Sequence, residues 1–391
     1  MMAGLLLARA GIDTLVLEKH RDFLRDFRGD TVHPSTLELI HELGLLDAFL
    51  TLPHQRLREI GGDVDGHRVT VADFSHLPTR CKFVALMPQW DFLDFLAGEA
   101  RRYPTFRLLM NADVTDVMRA EDRVTGVRVR TPEGELEVAA ALTIGADGRR
   151  SIVRERAGLT VETFGAPIDV LWMRLPRRDT DRAETLGVVR SGRVLVMLNR
   201  GDYWQCGFVI PKDGATALKT RGLETFREDI ATMVPFLRDR VEDLRTWDDI
   251  KLLTVMVDRL RRWYSPGLLC IGDAAHAMSP IGGVGINLAI QDAVATANLL
   301  YRPLLAGSVS VNDLAAVQRR RLLPTRLTQA AQVAIQRNVL APVLNRARDM
   351  SLELPLPLRL LRDYPVLRRI PARMVGMGAR PEHVRTPEAF A

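Results

Sequence analysis

The hydrophobic pattern opens with Met1-Met2-Ala3-Gly4-Leu5-Leu6-Leu7-Ala8, an apolar run that ends at Arg9 and is followed by Gly11. Such a run predicts a short buried helix with Gly11 as its C′ stop. Thr14-Leu15-Val16-Leu17 then predicts a short buried strand ending in an acid, Glu18. Ser35 is read as the N-cap of an amphipathic helix over residues 36–43, closed by Gly44. Residues 61–83 are glycine-punctuated and β-prone, residues 87–96 return to helix, and Phe106–Leu109 is a short strand. From 114 to 144 apolar and polar positions alternate around a Pro132-Glu133-Gly134 turn, which predicts a β-meander. Residues 161–257 mix strands with one helical run at 223–234. Leu268-Leu269-Cys270-Ile271 predicts a buried parallel strand, followed by an acidic turn, a glycine cluster and a helix from Asn287. Beyond Leu300 the chain reads as helical and basic, with an apolar, arginine-interleaved stretch at 356–375. That stretch suits a membrane surface or, the preferred reading, a cap docked on the rest of the protein.

Length and composition narrow the class. At 391 residues, 47% hydrophobic and 26% charged, the chain can bury a sizeable core and divide into two or more domains. Its net charge of +6 is spread along the chain, which favours anionic small molecules such as phosphates and argues against nucleic acid. Three widely spaced cysteines, Cys81, Cys206 and Cys270, read as free thiols in a reducing, cytoplasmic compartment without metal spacing. No run has transmembrane length. The first ten residues lack the basic region of a signal peptide.

The stretch 268–293 carries the chemistry. Strand, carboxylate, glycine loop and helix start place backbone N–H groups and one acid around a common point, which suits an anion or an electron-rich oxygen beside a polyol. An ordinary strand-to-helix connection with tightly packed glycines is the bland alternative. Gly272-Asp273-Ala274-Ala275-His276-Ala277-Met278-Ser279-Pro280-Ile281-Gly282-Gly283-Val284-Gly285-Ile286-Asn287 resembles the second FAD-binding motif of class A flavoprotein monooxygenases, the p-hydroxybenzoate hydroxylase group. Asp273, Pro280, Gly285 and Asn287 fall where that motif has them. Gly145-Ala146-Asp147-Gly148-Arg149-Arg150-Ser151 resembles the Asp-Gly motif of the same family, with Arg154 also matching.

The resemblance implies a fold and a set of contacts. The fold is α/β, a Rossmann-like FAD-binding domain of the p-hydroxybenzoate hydroxylase type with a β-sheet substrate domain and a helical C-terminus. Residues 1–60, 84–160 and 258–305 would form the first unit, 61–83 and 161–257 the second, and 306–391 the third. Glu18, with Lys19 beside it, would bind the adenosine ribose; Arg28 and Gln89 would serve the phosphate side. The main chain around Val114 would hold adenine, and Asp147 and Gly148 would form the second turn. Asp273 would hold the ribityl chain, and Pro280, Gly283, Gly285, Ile286 and Asn287 would carry the loop and amides at the flavin edge.

Helix, glycine, strand and terminal acid make the second half of a dinucleotide-binding βαβ unit. The strand and G-x-G-x-x-G turn of the first half are not in the sequence as written. The favoured explanation is a start assigned too late, at Met1-Met2. As written, the chain is expected to bind FAD poorly and fold marginally. The activity implied is that NAD(P)H reduces FAD, O2 adds at flavin C4a, and the hydroperoxide delivers one oxygen to an apolar or aromatic substrate. No catalytic side chain is singled out and no metal is expected. A flavin reductase or dehydrogenase of the same fold, or an inactive relative, stays open. Trp204-Gln205-Cys206-Gly207-Phe208-Val209-Ile210-Pro211 superficially resembles the W-x-W-x-I-P of flavin halogenases, but its second tryptophan is Cys206 and the likeness is discounted.

Overall fold

A computed structural model describes residues 1–24, 31–181, 186–347 and 350–390. Helix α1 (Met2–Arg9) leads to strand β1 (Thr14–Leu17), with Gly11 at φ +83° between them. Helix α2 (Pro34–Glu42) starts earlier than expected. His33 is its N-cap and Ser35 lies inside the first turn, because Pro34 has the fixed φ and missing N–H that suit the first helical position. Strands β2 (Glu59–Val64) and β3 (His67–Asp73) form a hairpin, and α3 (Gln89–Ala100) precedes β4 (Phe106–Leu109). The meander follows as β5 (Asp113–Ala120), β6 (Arg123–Thr131) and β7 (Gly134–Ala139), all antiparallel. The next strand, β8 (Thr143–Gly145), leaves the meander and runs into α4 (Ile152–Arg156).

Strands β9 (Ile168–Pro176), β10 (Leu186–Arg190), β11 (Arg193–Asn199) and β12 (Tyr203–Pro211) are followed by α5 (Leu223–Met233) and β13 (Lys251–Leu253). Together with the hairpin they make a seven-stranded sheet in the order β13-β9-β12-β11-β10-β2-β3. Strand β14 (Leu268–Cys270) feeds the long helices α6 (Gly285–Leu305) and α7 (Val311–Ile335). A π-helical turn over Gln336–Leu340 continues α7, and α8 (Leu356–Asp363) and α9 (Arg369–Gly376) lie near the C-terminus.

Parallel pairing occurs where the motif strands demand it. β1 pairs with β4, and β8 pairs with β14 in the register Thr143 to Leu268 and Gly145 to Cys270. Among the described residues no strand hydrogen-bonds to both pairs, so the Rossmann-like layer is held as two strips. One apolar core joins them: Leu5, Leu6 and Leu7 of α1 pack with Leu37, Phe92, Leu269, Ile290 and Val294. Helix α1 lies unusually close to β1. A Cβ at Gly4 would stand 2.7 Å from Val16 Cγ2, closer than real Cβ contacts allow, so only glycine lets the helix seat here.

The seven-stranded sheet sorts its apolar residues onto two faces. Met173, Leu195, Met197, Trp204, Cys206 and Phe208 face α5, with Phe208 edge-on to Phe226 at 5.1 Å. Trp172 points the other way, as period-two geometry requires. Trp204 is buried and donates from Nε1 to Asp181 at 3.0 Å, a structural role that agrees with discounting the halogenase likeness. The three cysteines are buried and free. Burial pushes the Cys270 thiol up to about 12 and raises those of Cys81 and Cys206, so all three are poor nucleophiles at neutral pH.

Candidate functional site

Because β8 and β14 are parallel neighbours, the Asp-Gly and Gly-Asp segments emerge from the same sheet edge. The Ile271 N–H donates to the Gly145 carbonyl at 2.9 Å. Past β8, Asp147 accepts from Ser151 Oγ at 2.5 Å and from the Val153 N–H at 3.1 Å, while Ser151 Oγ accepts from the Arg154 N–H at 3.0 Å. Asp147 and Ser151 together cap α4, and Gly148 makes the turn at φ +86°. Past β14, the Asp273 carboxylate is about one-third exposed and stands 3.5 Å from Arg149 Nη2, which bridges the two motifs. Beneath them the buried Arg154 donates to Asp258 at 3.4 and 3.5 Å and to the carbonyls of Ala274 and Arg149.

Pro280 introduces a short 3-10 turn, Ile281–Gly283, that delivers the chain to α6. Gly283 sits at φ +62°, and a Cβ there would lie 2.4 Å from Thr31 Oγ1. Asn287 accepts at Oδ1 from the His33 N–H and Thr36 Oγ1, both at 2.8 Å. Its Nδ2 donates to the carbonyls of Thr31 (2.9 Å) and Gly283 (3.2 Å). The Asn287 side chain is therefore spent on holding the glycine loop against the start of α2. Among the described residues no side chain caps α6, and the amides of its first turn, Gly285 and Ile286 among them, point along the helix axis. A Cβ on Gly285 would meet Met278 at an ordinary 3.7 Å, so the protein's own packing does not demand glycine there. Close approach of a ligand to the helix end would.

The other predicted residues gather at a second corner. Glu18 follows β1, its carboxylate accepts from the His20 N–H at 3.1 Å, and its carbonyl accepts from the Ala112 N–H at 2.9 Å. That bond brings Glu18 to the beginning of β5, where Val114 lies. Lys19 is exposed, and Gln89 is half-buried at the first residue of α3. Arg28 lies outside the described residues. Gly4, which no sequence motif marks, has the helix-on-strand packing role that a dinucleotide fold assigns to the third glycine of its fingerprint.

Comparison with known proteins decides the family. A model of the FAD binding domain matches residues 1–331. A 6-methylpretetramide 4-monooxygenase from Streptomyces rimosus is 34% identical over 344 residues, covering 86% of this chain and 81% of the relative. This chain belongs to the FAD-dependent monooxygenases of class A. Among solved structures, a probable FAD-dependent monooxygenase from Pseudomonas aeruginosa superimposes with a TM-score of 0.73 at 23% identity, covering 89% of this chain and 94% of that one. An anhydrotetracycline hydroxylase from Streptomyces rimosus gives 0.70 at 25% identity, covering 96% of this chain and 73% of that one. FAD is the family's cofactor, and the residues present fit it at the flavin end: an uncapped helix terminus, a glycine that packing does not require, and a partly exposed carboxylate on the same edge.

The structure adds hydrogen bonds around the glycine loop that the pattern concealed. Gln329, Gln332 and Gln336 are buried on one face of α7 and the turn that follows. Gln329 Nε2 donates to the carbonyls of Asp258 and Ala277 at 2.7 and 3.1 Å. Gln332 Nε2 donates to Ser279 and Ile281 at 2.9 Å each, and its Oε1 accepts from the Ser279 N–H at 3.1 Å. Gln336 Nε2 donates to Ser279 Oγ at 2.5 Å. Residues 277–281, the approach to the glycine loop, are thus held by an amide ladder. A stripe of uncharged glutamines on an arginine-rich helix was the available signal.

His33 has a structural role. It is buried, and its Nδ1–H donates to the Val375 carbonyl of α9 at 2.7 Å. Burial lowers its pKa to about 4, against a smaller opposing effect of that hydrogen bond. The folded state therefore resists a proton that the unfolded chain accepts below about pH 6.5. His33 stabilises fully above that pH, and its contribution falls by about 3 kcal/mol as the pH drops toward 4. Urea titrations of wild type and His33→Asn, which keeps an N–H for Val375, should differ in slope across this window. Parallel slopes would remove His33 as the acid-sensitive group.

Proposed function

We propose that this flavoprotein is an NAD(P)H-dependent monooxygenase that hydroxylates a planar, fused-ring aromatic molecule of polyketide type. The observation that carries the reading is the sheet face opposite α5. There Trp172 shares one apolar cluster with Val170, Val194, Val209 and Ile281, and Ile281 belongs to the loop that feeds the α6 terminus. An indole beside the flavin loop offers a flat apolar contact for a flat substrate. Relatives named for pretetramide and anhydrotetracycline substrates support the same class.

FAD, when bound, supplies the redox chemistry, and the protein positions it and excludes water. In this reading Asp273 accepts from the ribityl hydroxyls, and the amides of Gly285, Ile286 and Asn287 favour negative charge at the ring edge. Glu18 and Lys19 serve the ribose, Val114 the adenine, and Arg28 and Gln89 the phosphate side. Asp147 and Gly148 shape the second turn, and Pro280 and Gly283 shape the loop. Residues 1–60, 84–160 and 258–305 form the cofactor unit, 61–83 and 161–257 its roof, and 306–391 the helical region. A cytoplasmic location keeps the buried thiols reduced.

The test is NADH and NADPH oxidation with O2 uptake in the presence of a tetracyclic phenol. The expected product carries one added oxygen atom. Reduced substrate without O2 uptake would replace this reading by a reductase. Asp273→Ala should lower flavin retention on gel filtration; unchanged occupancy and affinity would contradict the ribityl assignment.

A further inference from the structure

The two C-terminal helices are apolar on both faces. Toward the protein α8 packs Leu358 against Val64, Val69 and Leu354, and α9 presents small residues beside Val375. Ala372 is fully buried, and Gly376 sits so close to the core that a Cβ would stand 2.6 Å from Leu77 Cδ1. Toward solvent they present large apolar ones: Leu356 (68% exposed), Leu360 (40%), Tyr364 (57%), Val366 (58%), Ile370 (61%) and Met374 (55%). Leu356 and Leu360 are four apart on α8, and Ile370 and Met374 are four apart on α9, with Val366 exposed on the 3-10 turn Pro365–Arg368 that leads into it. An ordinary surface helix turns such residues inward.

Arginines flank these residues. Residues 356–376 contain Arg359, Arg362, Arg368, Arg369 and Arg373 against one acid, Asp363, a net +4 from five positive charges and one negative. Arg369, Ile370, Arg373 and Met374 line one open groove with Gly378 and Ala379. The Arg362–Asp363 and Arg359–Glu353 pairs are exposed and exchange readily for other anions. A second copy of this surface would carry the same charge and repel it. At eight residues each, the helices are far too short to cross a bilayer, and no described helix is long and apolar enough to do so.

We propose that α8 and α9 seat the protein on an anionic membrane surface, with both helices in the plane of the bilayer. The exposed apolar residues enter the top of the acyl region, and the guanidinium groups reach lipid phosphates along their aliphatic stems.

Flotation of the full chain with vesicles tests it. The protein should float with vesicles of phosphatidylglycerol and phosphatidylcholine, remain behind with phosphatidylcholine alone, and be released by salt. A Val366→Ser, Ile370→Ser, Met374→Ser variant should lose binding while keeping its circular dichroism and melting temperature. Arg369→Gln with Arg373→Gln should lower the partition coefficient roughly 25-fold, about fivefold per charge. Failure to float with anionic vesicles overturns the proposal, as does equal binding to neutral ones. A concentration-dependent dimer abolished by the same triple variant would overturn it in favour of self-association.

Discussion

Asp292→Ala should destabilise the protein by about 3–5 kcal/mol, the cost of removing one partner from a buried ionic network. Asp292 lies on α6 and is wholly buried, as are its partners His276 and Arg321. Its Oδ1 accepts from Arg321 Nε at 2.9 Å, and its Oδ2 accepts from His276 Nε2 at 2.5 Å and from the Gly272 N–H at 3.1 Å. Arg321 would keep Glu382 Oε1 at 3.2 Å and the Arg380 carbonyl, so it is not wholly abandoned. His276 and the Gly272 amide would lose their acceptor outright. Burial alone would raise the Asp292 pKa, but His276 and Arg321 outweigh it and hold it below the ordinary carboxylate value. Its contribution is therefore present above about pH 4 and lost only as the pH falls further through the folded value. The acid sensitivity of His33 sets in at higher pH, so the two can be told apart in one titration. Urea unfolding at pH 7.5 measures the Asp292→Ala cost, and a loss under about 1 kcal/mol would mean the network is not formed as described. Since Gly272 precedes Asp273, flavin retention should fall alongside stability.

The sequence made visible what depends on local pattern. The meander was legible because Val127 and Val129, then Leu136 and Val138, alternate on either side of a turn, and α1 because a leucine run ends at Arg9 and Gly11. The Asp-Gly and Gly-Asp segments were legible as separate motifs; their adjacency required the parallel pairing of β8 with β14. Distant partnerships were not legible. The motif marks Asn287 for its amide, and nothing local places its side chain, which is occupied by Thr31, His33, Thr36 and Gly283, all but the last some 250 residues away. His276 and Asp292 are 16 residues apart with Arg321 29 further on, a spacing that no local periodicity reports. Strand parity could have separated Trp172 from Met173 and Met197, but which face meets α5 is a tertiary fact.

Gln332→Leu should cost about 2–4 kcal/mol and also loosen the flavin loop. Leucine nearly conserves volume, so the loss is one of hydrogen bonds. The carbonyls of Ser279 and Ile281 and the Ser279 N–H lose their amide partner in a buried setting, at roughly 1–3 kcal/mol for each group left unpaired. Partial rescue by Gln336, which still holds Ser279 Oγ, keeps the sum below three full penalties. Gln329→Leu is the informative companion, because Gln329 anchors Asp258 and Ala277, further from the glycine loop. Both variants should unfold at lower urea. Gln332→Leu alone should weaken FAD affinity by about tenfold or more and change the fine structure of the bound flavin spectrum, a shift of about 1.4 kcal/mol or more in binding. If the two variants weaken flavin binding equally, the ladder acts through general stability. If Gln332→Leu leaves the affinity and the spectrum unchanged, the loop does not depend on this side chain for its position. The separation sought here exists because Ile281 serves two neighbours at once: its carbonyl is fixed by Gln332, and its side chain packs on the sheet face that bears Trp172. Displacing it would move the glycine loop and the Trp172 face of the sheet together.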